Sequence, residues 1–333
     1  MRVLGSGSRL HFPFRSPVTV AVVLGAMVLA APTLAITVLA FAGMFDSAAT
    51  LSHLAMTVLP RYAGTTLLLT TAVVVIVVAV GVGAAWLIGA CEFPGRRMLA
   101  WLLVLPMAMP AFVMAYAYTD FLAPSGPLQS ALRRVAGWEI GDYWFPDIHS
   151  WPMAALCLGL ALYPYVYLLA RTAFAERSES LAEAARSLGL GPRQVWLRVT
   201  WPVARPAVAA GVALATMETL ADFGTVSYFA VDTFTAGIYR AWQSLGDRAG
   251  AAQLAVVLLV AVMALVWIER VQRGRMQFHA RSSRTPERTR LRGPAAWCAV
   301  AACGMPGLLG FVIPAALLVA SGVSAESGWD GRS

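Results

Sequence analysis

Long uninterrupted apolar blocks constrain this chain more than any other feature of its sequence. A helix needs about 20 apolar residues to cross a hydrocarbon core of about 30 Å, and seven blocks of that length are present. The composition agrees, since 59% of the 333 residues are hydrophobic and only 13% are charged. Such a chain cannot cover a water-facing surface, which excludes a soluble enzyme, a disordered tail or a secreted disulfide scaffold. The sequence therefore predicts an all-α, polytopic membrane bundle of about seven transmembrane helices, over residues 18–41, 63–90, 98–120, 151–174, 204–230, 250–268 and 295–321.

Arginine positions predict the orientation of this bundle. All 25 basic residues are arginines, and with a cytoplasmic N-terminus 19 of them fall on the cytoplasmic side. Basic residues concentrate in cytoplasmic loops of membrane proteins, so residues 1–17 and the basic linker 271–293 are expected there. Because the arginines lie between apolar blocks, we expect membrane lipid and not nucleic acid as their partner.

The cytoplasmic segment between the fourth and fifth blocks is unusually structured. Ser180 with Glu183 forms a capping-box pattern at the start of an Ala-rich helix. Gly189 and Gly191 can end that helix, and Pro192 can begin the next. This helix–turn–helix at the inner membrane surface either receives a push from a soluble partner or only lies on the lipid. The residues alone leave both interpretations open.

Two acidic residues fall inside the fifth block. Glu218 and Asp222 are four residues apart, which on a helix places them on one face. Carboxylates within a membrane normally face the bundle interior or a watery path. We expect a translocation pathway for a cationic solute, with hydrogen bonding between helices as the alternative.

Signatures of catalysis and of metal binding are missing from the sequence. It contains no phosphate-binding loop of the G-x-x-x-x-G-K-[ST] type and no legible Ser–His–Asp or Cys–His arrangement. The four histidines are scattered, and the four cysteines lie in or beside apolar blocks without a CxxC pair. We therefore expect no catalytic residue, no metal site and no cofactor, and hence a protein that is not an enzyme.

The cytoplasmic segment resembles the "EAA" loop of type I ABC importer permeases, the membrane subunits of binding-protein-dependent transport. The family pattern is EAA-x3-G-x9-I-x-L-P, and the spacing here matches throughout, with Val199 in place of Ile and Trp201 in place of Leu. The resemblance implies the type I importer fold, with cytoplasmic coupling helices that dock on the ATP-hydrolysing subunits. The docking residues carried over from the family are Glu183, Ala184, Ala185, Gly189 and Pro202.

That resemblance also implies partners. They are a pair of cytoplasmic ATP-binding subunits, a periplasmic or extracellular substrate-binding protein, and a second permease half that is either a copy of this chain or a separate one. It places the chain in the inner (plasma) membrane of a bacterium. The hydrolysis of ATP would then belong to a partner, while this chain provides the path.

Four further segments, 91–97, 105–110, 218–229 and 235–242, resemble the ferric-iron branch of these permeases. Residues 61–270 are expected to form the transmembrane domain, with the coupling loop at 180–202. Because that branch usually joins two six-span halves, this chain looks like the first half, followed by one further helix at 294–321 and a short tail at 322–333 where the second half is cut short. Ferric uptake is thus the first expectation. The alternatives are thiamine, phosphonate or another small solute, a gradient-driven secondary transporter, and a truncated permease without function.

Overall fold

The computed structural model describes residues 17–46, 58–175, 185, 187–274 and 288–329, and these are almost entirely helical. Five described helices are long and apolar enough to cross a membrane: Thr19–Ala42, Leu59–Ala90, Trp151–Ala175, Arg248–Val271 and Pro294–Gly322. A sixth candidate is a helix pair, Arg96–Ala108 and Ala111–Ala136, with a bend of 94° between its members. The prediction of an all-α polytopic bundle is confirmed.

The elements are numbered along the chain. The helices are α1 (Pro17–Asp46), α2 (Leu59–Ala90), α3 (Arg96–Leu102), α4 (Ala111–Leu122), α5 (Pro127–Ala136), α6 (Trp151–Ala175), α7 (Pro192–Val195), α8 (Trp201–Ala221), α9 (Gly224–Tyr228), α10 (Phe234–Tyr239), α11 (Arg248–Gly274), α12 (Pro294–Gly307) and α13 (Ile313–Trp329). Two short strands, β1 (Cys91–Glu92) and β2 (Thr289–Arg290), pair in parallel.

Helices α2, α6 and α8 form the centre of the bundle, with α6 packed between the other two. Glycines allow the close approach. A Cβ atom built on Gly81 of α2 would lie 2.8 Å from the Cβ of Val166, and one on Gly211 of α8 would lie 2.7 Å from its Cα. Small residues at such contacts let backbones pack where lipid offers no hydrophobic driving force. By contrast, α1 lies against α11, and almost all its described side chains are exposed.

The third predicted span, 98–120, is not one straight helix. After α3 the chain forms a 3₁₀ turn at Leu105–Ala108, and Met109 is extended with ψ 116°. Pro110 explains this break, because a proline disfavours the helical conformation of the residue before it and has no N–H to donate. The polypeptide therefore turns sharply where a continuous helix was expected.

The fifth predicted span, 204–230, is also shorter than expected. Its helix α8 begins earlier, at Trp201, and ends at Ala221, after which Asp222 is extended with ψ 130°. Length and composition do not qualify α8 as a span on its own. It nevertheless lies in the centre of the bundle, so its position depends on packing against α6 and α2.

The last helices, α12 and α13, pack against α3 and α4. A π-helical turn at Leu308–Val312 joins them, and the Tyr118 hydroxyl of α4 donates a hydrogen bond to the Leu309 carbonyl within that turn. A Cβ on Gly307 would lie 2.5 Å from the Cγ of Leu102. This helix pair is thus closely fitted to the same bundle as the preceding helices.

Candidate functional site

The predicted docking loop is described at Ala185 and from residue 187 onward, while Glu183 and Ala184 lie outside the described residues. Ala185 is buried, and its carbonyl accepts a hydrogen bond from the Leu190 N–H at 3.1 Å. Between them Gly189 has φ +82°, the left-handed conformation with which many helices end. The predicted helix end at Gly189 is confirmed.

The tip of this loop presents an apolar side chain that sequence reasoning did not single out. Leu188 is 83% exposed, directly before the helix-ending Gly189. Its signal in the sequence is weak, since a leucine in an Ala-rich helix is equally typical of a core position. Together with the burial of Ala185, this exposure indicates which side of the loop is free to meet another surface.

The second arm of the loop runs directly into the bundle. Helix α7 begins at Pro192, as predicted, and a π-helical turn over Trp196–Thr200 joins it to α8. The Trp201 N–H donates to the Trp196 carbonyl five residues earlier, and Pro202 lies in the first turn of α8. The second helix of the predicted helix–turn–helix is thus continuous with a central helix, because α7 continues through the π turn into α8.

An ion-paired clamp lies beside the C-terminal end of α2. Glu92 Oε2 is 3.2 Å from Arg96 Nε and 3.9 Å from Arg288 Nη1. The Glu92 carbonyl also accepts a hydrogen bond from the Leu291 N–H at 3.0 Å, beside the β1–β2 pair. Sequence reasoning missed this clamp, which ties the basic linker to the turn after α2.

The two intramembrane acids do not share a helix face, contrary to the sequence prediction. Glu218 lies on α8, whereas Asp222 follows the end of that helix. Asp222 Oδ1 accepts the Val226 N–H at 3.0 Å, and Oδ2 accepts the Thr225 hydroxyl at 3.0 Å. The physical reason for the break is this capping: Asp222 satisfies the first free donors of α9.

Glu218 instead faces a cavity of about 450 Å³ between α1, α8, α10 and α11. Of the described residues that line the cavity, Glu218 is the charged one, and the others are Thr33, Ile36, Met217, Leu220, Ala221, Ile238, Ala255, Leu258, Leu259 and Val262. A carboxylate with apolar surroundings favours a cationic partner. The structure thus separates the pair into Asp222, which caps α9, and Glu218, which lines this cavity.

At the opposite ends of the helices, Asp232 is shared by two arginines. Its carboxylate lies 2.7 Å from Arg61 Nη2 and 2.8 Å from Arg240 Nη2. Arg240 also donates to the Tyr62 hydroxyl at 3.4 Å, and the hydrogen bond to Asp232 raises the pKa of Arg240 above its ordinary value. Both arginines are largely exposed, whereas the Asp232 side chain between them is only 17% exposed. The two ion pairs join the start of α2 to the segment around α10.

No group of three or more metal-ligating side chains is found within the described part of the chain. Within the same residues, Cys91, Cys157, Cys298 and Cys303 form no disulfide. The features that stand out among the described residues are the predicted docking loop, the ion pairs of Glu92 and the cavity that Glu218 lines.

Comparison with known proteins places these features in a family. Residues 81–277 match the model of the binding-protein-dependent transport system inner membrane component. The molybdenum transport system permease protein ModB of Escherichia coli K12 is 28% identical over 205 residues, covering 59% of this chain and 86% of that protein. The Fe(3+)-transport system permease protein FbpB 2 of Haemophilus influenzae is 25% identical, covering 64% of this chain and 38% of that protein.

A third relative and a solved structure complete the comparison. The sulfate transport system permease protein CysW of Escherichia coli K12 is 31% identical over 147 residues, covering 44% of this chain and 48% of that protein. The crystal structure of a bacterial ABC transporter involved in the import of the acidic polysaccharide alginate matches in fold, with a TM-score of 0.62 at 17% identity, covering 80% of this chain and 98% of that one. Since the family model spans more than half of its length, the chain belongs to the binding-protein-dependent transport system inner membrane components.

Proposed function

We propose that this chain is the membrane-spanning permease subunit of an ATP-driven importer in a bacterial inner membrane. A substrate-binding protein delivers the solute to the outer ends of the helices, where Asp232 bridges Arg61 and Arg240. A pair of ATP-binding subunits docks in the cytoplasm around Glu183–Gly189. A second permease half, either another copy or a separate chain, completes the path.

The continuity of the docking loop with α8 is the observation that carries this proposal. From Pro192 the backbone remains helical to Ala221, and α8 packs on α6 and α2. A displacement of the loop by a soluble partner would therefore act on the centre of the bundle. A helix that merely lay on lipid would need no such connection.

ATP hydrolysis belongs to the partner subunits in this proposal, because the chain has no phosphate-binding loop in its sequence. The orientation has a cytoplasmic N-terminus. The arginine distribution supports this orientation, and the contact of Trp86 with Trp196 agrees with the prediction that their two segments lie on one side of the membrane.

Ferric iron is the first cargo that we propose, on the resemblance of four segments to the ferric-iron branch and on the similarity to FbpB 2. Hard cations favour oxygen ligands such as the Glu218 carboxylate. ModB and CysW are named for molybdenum and sulfate transport, so both oxyanions are the alternative cargoes. Specificity is expected to come mainly from the binding protein.

Affinity purification of the tagged chain from native membranes tests the proposal. We expect an ATP-binding subunit to co-purify, and the complex in proteoliposomes to accumulate one of three radiolabelled solutes when ATP is enclosed: ferric iron, molybdate or sulfate. Uptake that follows a proton or sodium gradient without ATP, and without an ATP-binding partner, would contradict the importer and favour the secondary transporter.

A further inference from the structure

A chain of aromatic rings connects the docking segment to helices far away in the sequence. Phe174 of α6 and Trp86 of α2 meet edge to face at 5.9 Å between ring centroids, and Trp86 meets Trp196 in the same way at 5.9 Å. Trp196 in turn stacks on Trp201 at 5.7 Å with 19° between the ring planes. The Arg205 guanidinium carbon lies 5.9 Å from the centre of the Trp201 ring. We call Phe174, Trp86, Trp196 and Trp201 the aromatic ladder.

The ladder meets the docking segment at a π-helical turn. Trp196 begins the π-helical turn Trp196–Thr200 between α7 and α8. A π turn has one residue more per hydrogen-bonded ring than an α-helix and is often found at functional sites. A push along α7 can change the geometry of this turn before it moves α8, so the backbone alone is a compliant connection.

The rings offer a second connection that bypasses the turn. Edge-to-face and stacked aromatic pairs have preferred geometries and resist displacement, and Phe174 is buried at 1% exposure in the core. Trp86 and Phe174 belong to α2 and α6, which pack closely through glycines such as Gly81. A movement of Trp196 therefore also displaces Trp86 and Phe174, and with them the central helices α2 and α6.

We propose that Trp86 and Trp196 are positioning residues that couple movement of the docking loop to α2 and α6. This inference rests on the proposed function, because it takes the loop to be moved by an ATP-binding partner. The role of the two tryptophans is to convert a shift of the loop into a shift of the central helices.

Four single variants test the coupling: Trp86→Leu, Trp196→Leu, and the ring-retaining Trp86→Phe and Trp196→Phe. Trp267→Leu is the matched control, because Trp267 is a 68% exposed tryptophan on α11. Each is purified as the complete complex with its ATP-binding subunit, and both ATP hydrolysis and uptake are measured in proteoliposomes. The solute is ferric iron, molybdate or sulfate, whichever the native complex accumulates.

We expect each leucine variant to lower the amount of solute taken up per ATP hydrolysed by about fivefold, a change of the size that one aromatic pair contributes. The phenylalanine variants should keep most of the native uptake per ATP, and Trp267→Leu should have the same uptake per ATP as the native protein. The double variant, with leucine at both positions, should have an uptake per ATP no lower than that of the more impaired single variant. The reason is that both residues act through one contact.

The outcomes separate this inference from the function on which it rests. If the native complex hydrolyses ATP and imports solute, yet the leucine variants that co-purify with the ATP-binding subunit keep the native uptake per ATP, the ladder has no coupling role. A failure of leucine and phenylalanine variants alike to assemble assigns the rings to folding and also overturns the inference. If the native chain binds no ATP-binding subunit, the proposed function falls, and the inference with it.

Discussion

Single residues decide the shape of the docking loop, and Gly189 is the clearest case. Its φ of +82° is a conformation that L-residues with a side chain rarely adopt. Two residues later Gly191 lacks a positive φ, and an added Cβ there would meet nothing within 4 Å. The two glycines therefore form a natural comparison between a required and a replaceable glycine.

We predict that Gly189→Ala strains the loop by about 1 kcal/mol and lowers the yield of ATP-binding subunit co-purified with the chain. Gly191→Ala should leave that yield unchanged, and co-purification from native membranes followed by quantitative immunoblotting measures both. Equal loss from the two variants would show that Gly189 has no special part in docking.

Glu218 and Asp222 are a second pair of residues with different positions: Glu218 faces a cavity, whereas Asp222 caps α9. We predict that Glu218→Gln lowers cation uptake by about tenfold through loss of a charged contact, with the thermal unfolding midpoint unchanged.

Asp222→Ala should destabilise the fold by about 1 kcal/mol, and Asp222→Asn, which keeps an acceptor oxygen, by less.

Uptake assays together with thermal unfolding in detergent distinguish the two acids. Full uptake by Glu218→Gln would remove that residue from the pathway. A native unfolding midpoint for Asp222→Ala would mean that the capping bonds contribute nothing to stability.

Among the elements, the close contact of α2 with α6 depends on glycines at particular positions. A Cβ on Gly81 would approach the Tyr167 backbone nitrogen to 3.0 Å, whereas one on Gly83 in the same helix would meet nothing within 4 Å. The sequence alone cannot tell these two glycines apart, because both lie in the same apolar block. Only the packing of α6 against one face of α2 distinguishes them.

Gly81→Ala is expected to destabilise the protein by about 1–3 kcal/mol through overpacking. Gly83→Ala should be neutral or stabilise by about 0.5–1 kcal/mol, since alanine favours a helix over glycine. Thermal unfolding of both variants in the same detergent measures the difference, and a lower midpoint for Gly83→Ala than for Gly81→Ala would contradict the packing described here.

The elements also show how far sequence reasoning reaches. Most apolar blocks became long helices, because length and hydropathy are local properties. The breaks at Met109 and Asp222 were missed for different reasons. Pro110 lies inside an apolar block that predicted one continuous span, and Asp222 was assigned to a helix face, although its carboxylate caps the next helix.

For the whole molecule, the contacts that hold distant segments together were beyond sequence reasoning. Glu92 and Arg288 are separated by almost 200 positions, and Trp86 and Trp196 by more than 100. No periodicity links such pairs, so only the folded chain reveals them. The docking loop was predicted because its spacing matches a family pattern, and the features of it that the structure confirms are local ones: the turn at Gly189 and the helix start at Pro192.

For the whole molecule, we propose above all that an ATP-binding subunit binds the loop at Leu188. A photo-crosslinking amino acid at Leu188 in native membranes tests it most directly, with the same probe at Leu132 of α5, on the predicted outer side, as control. We predict that the Leu188 probe forms an adduct with an ATP-binding protein, identified by mass spectrometry, and that the Leu132 probe does not. Adducts of the Leu188 probe with phospholipid alone, in membranes where the assembly is intact, would contradict the claim.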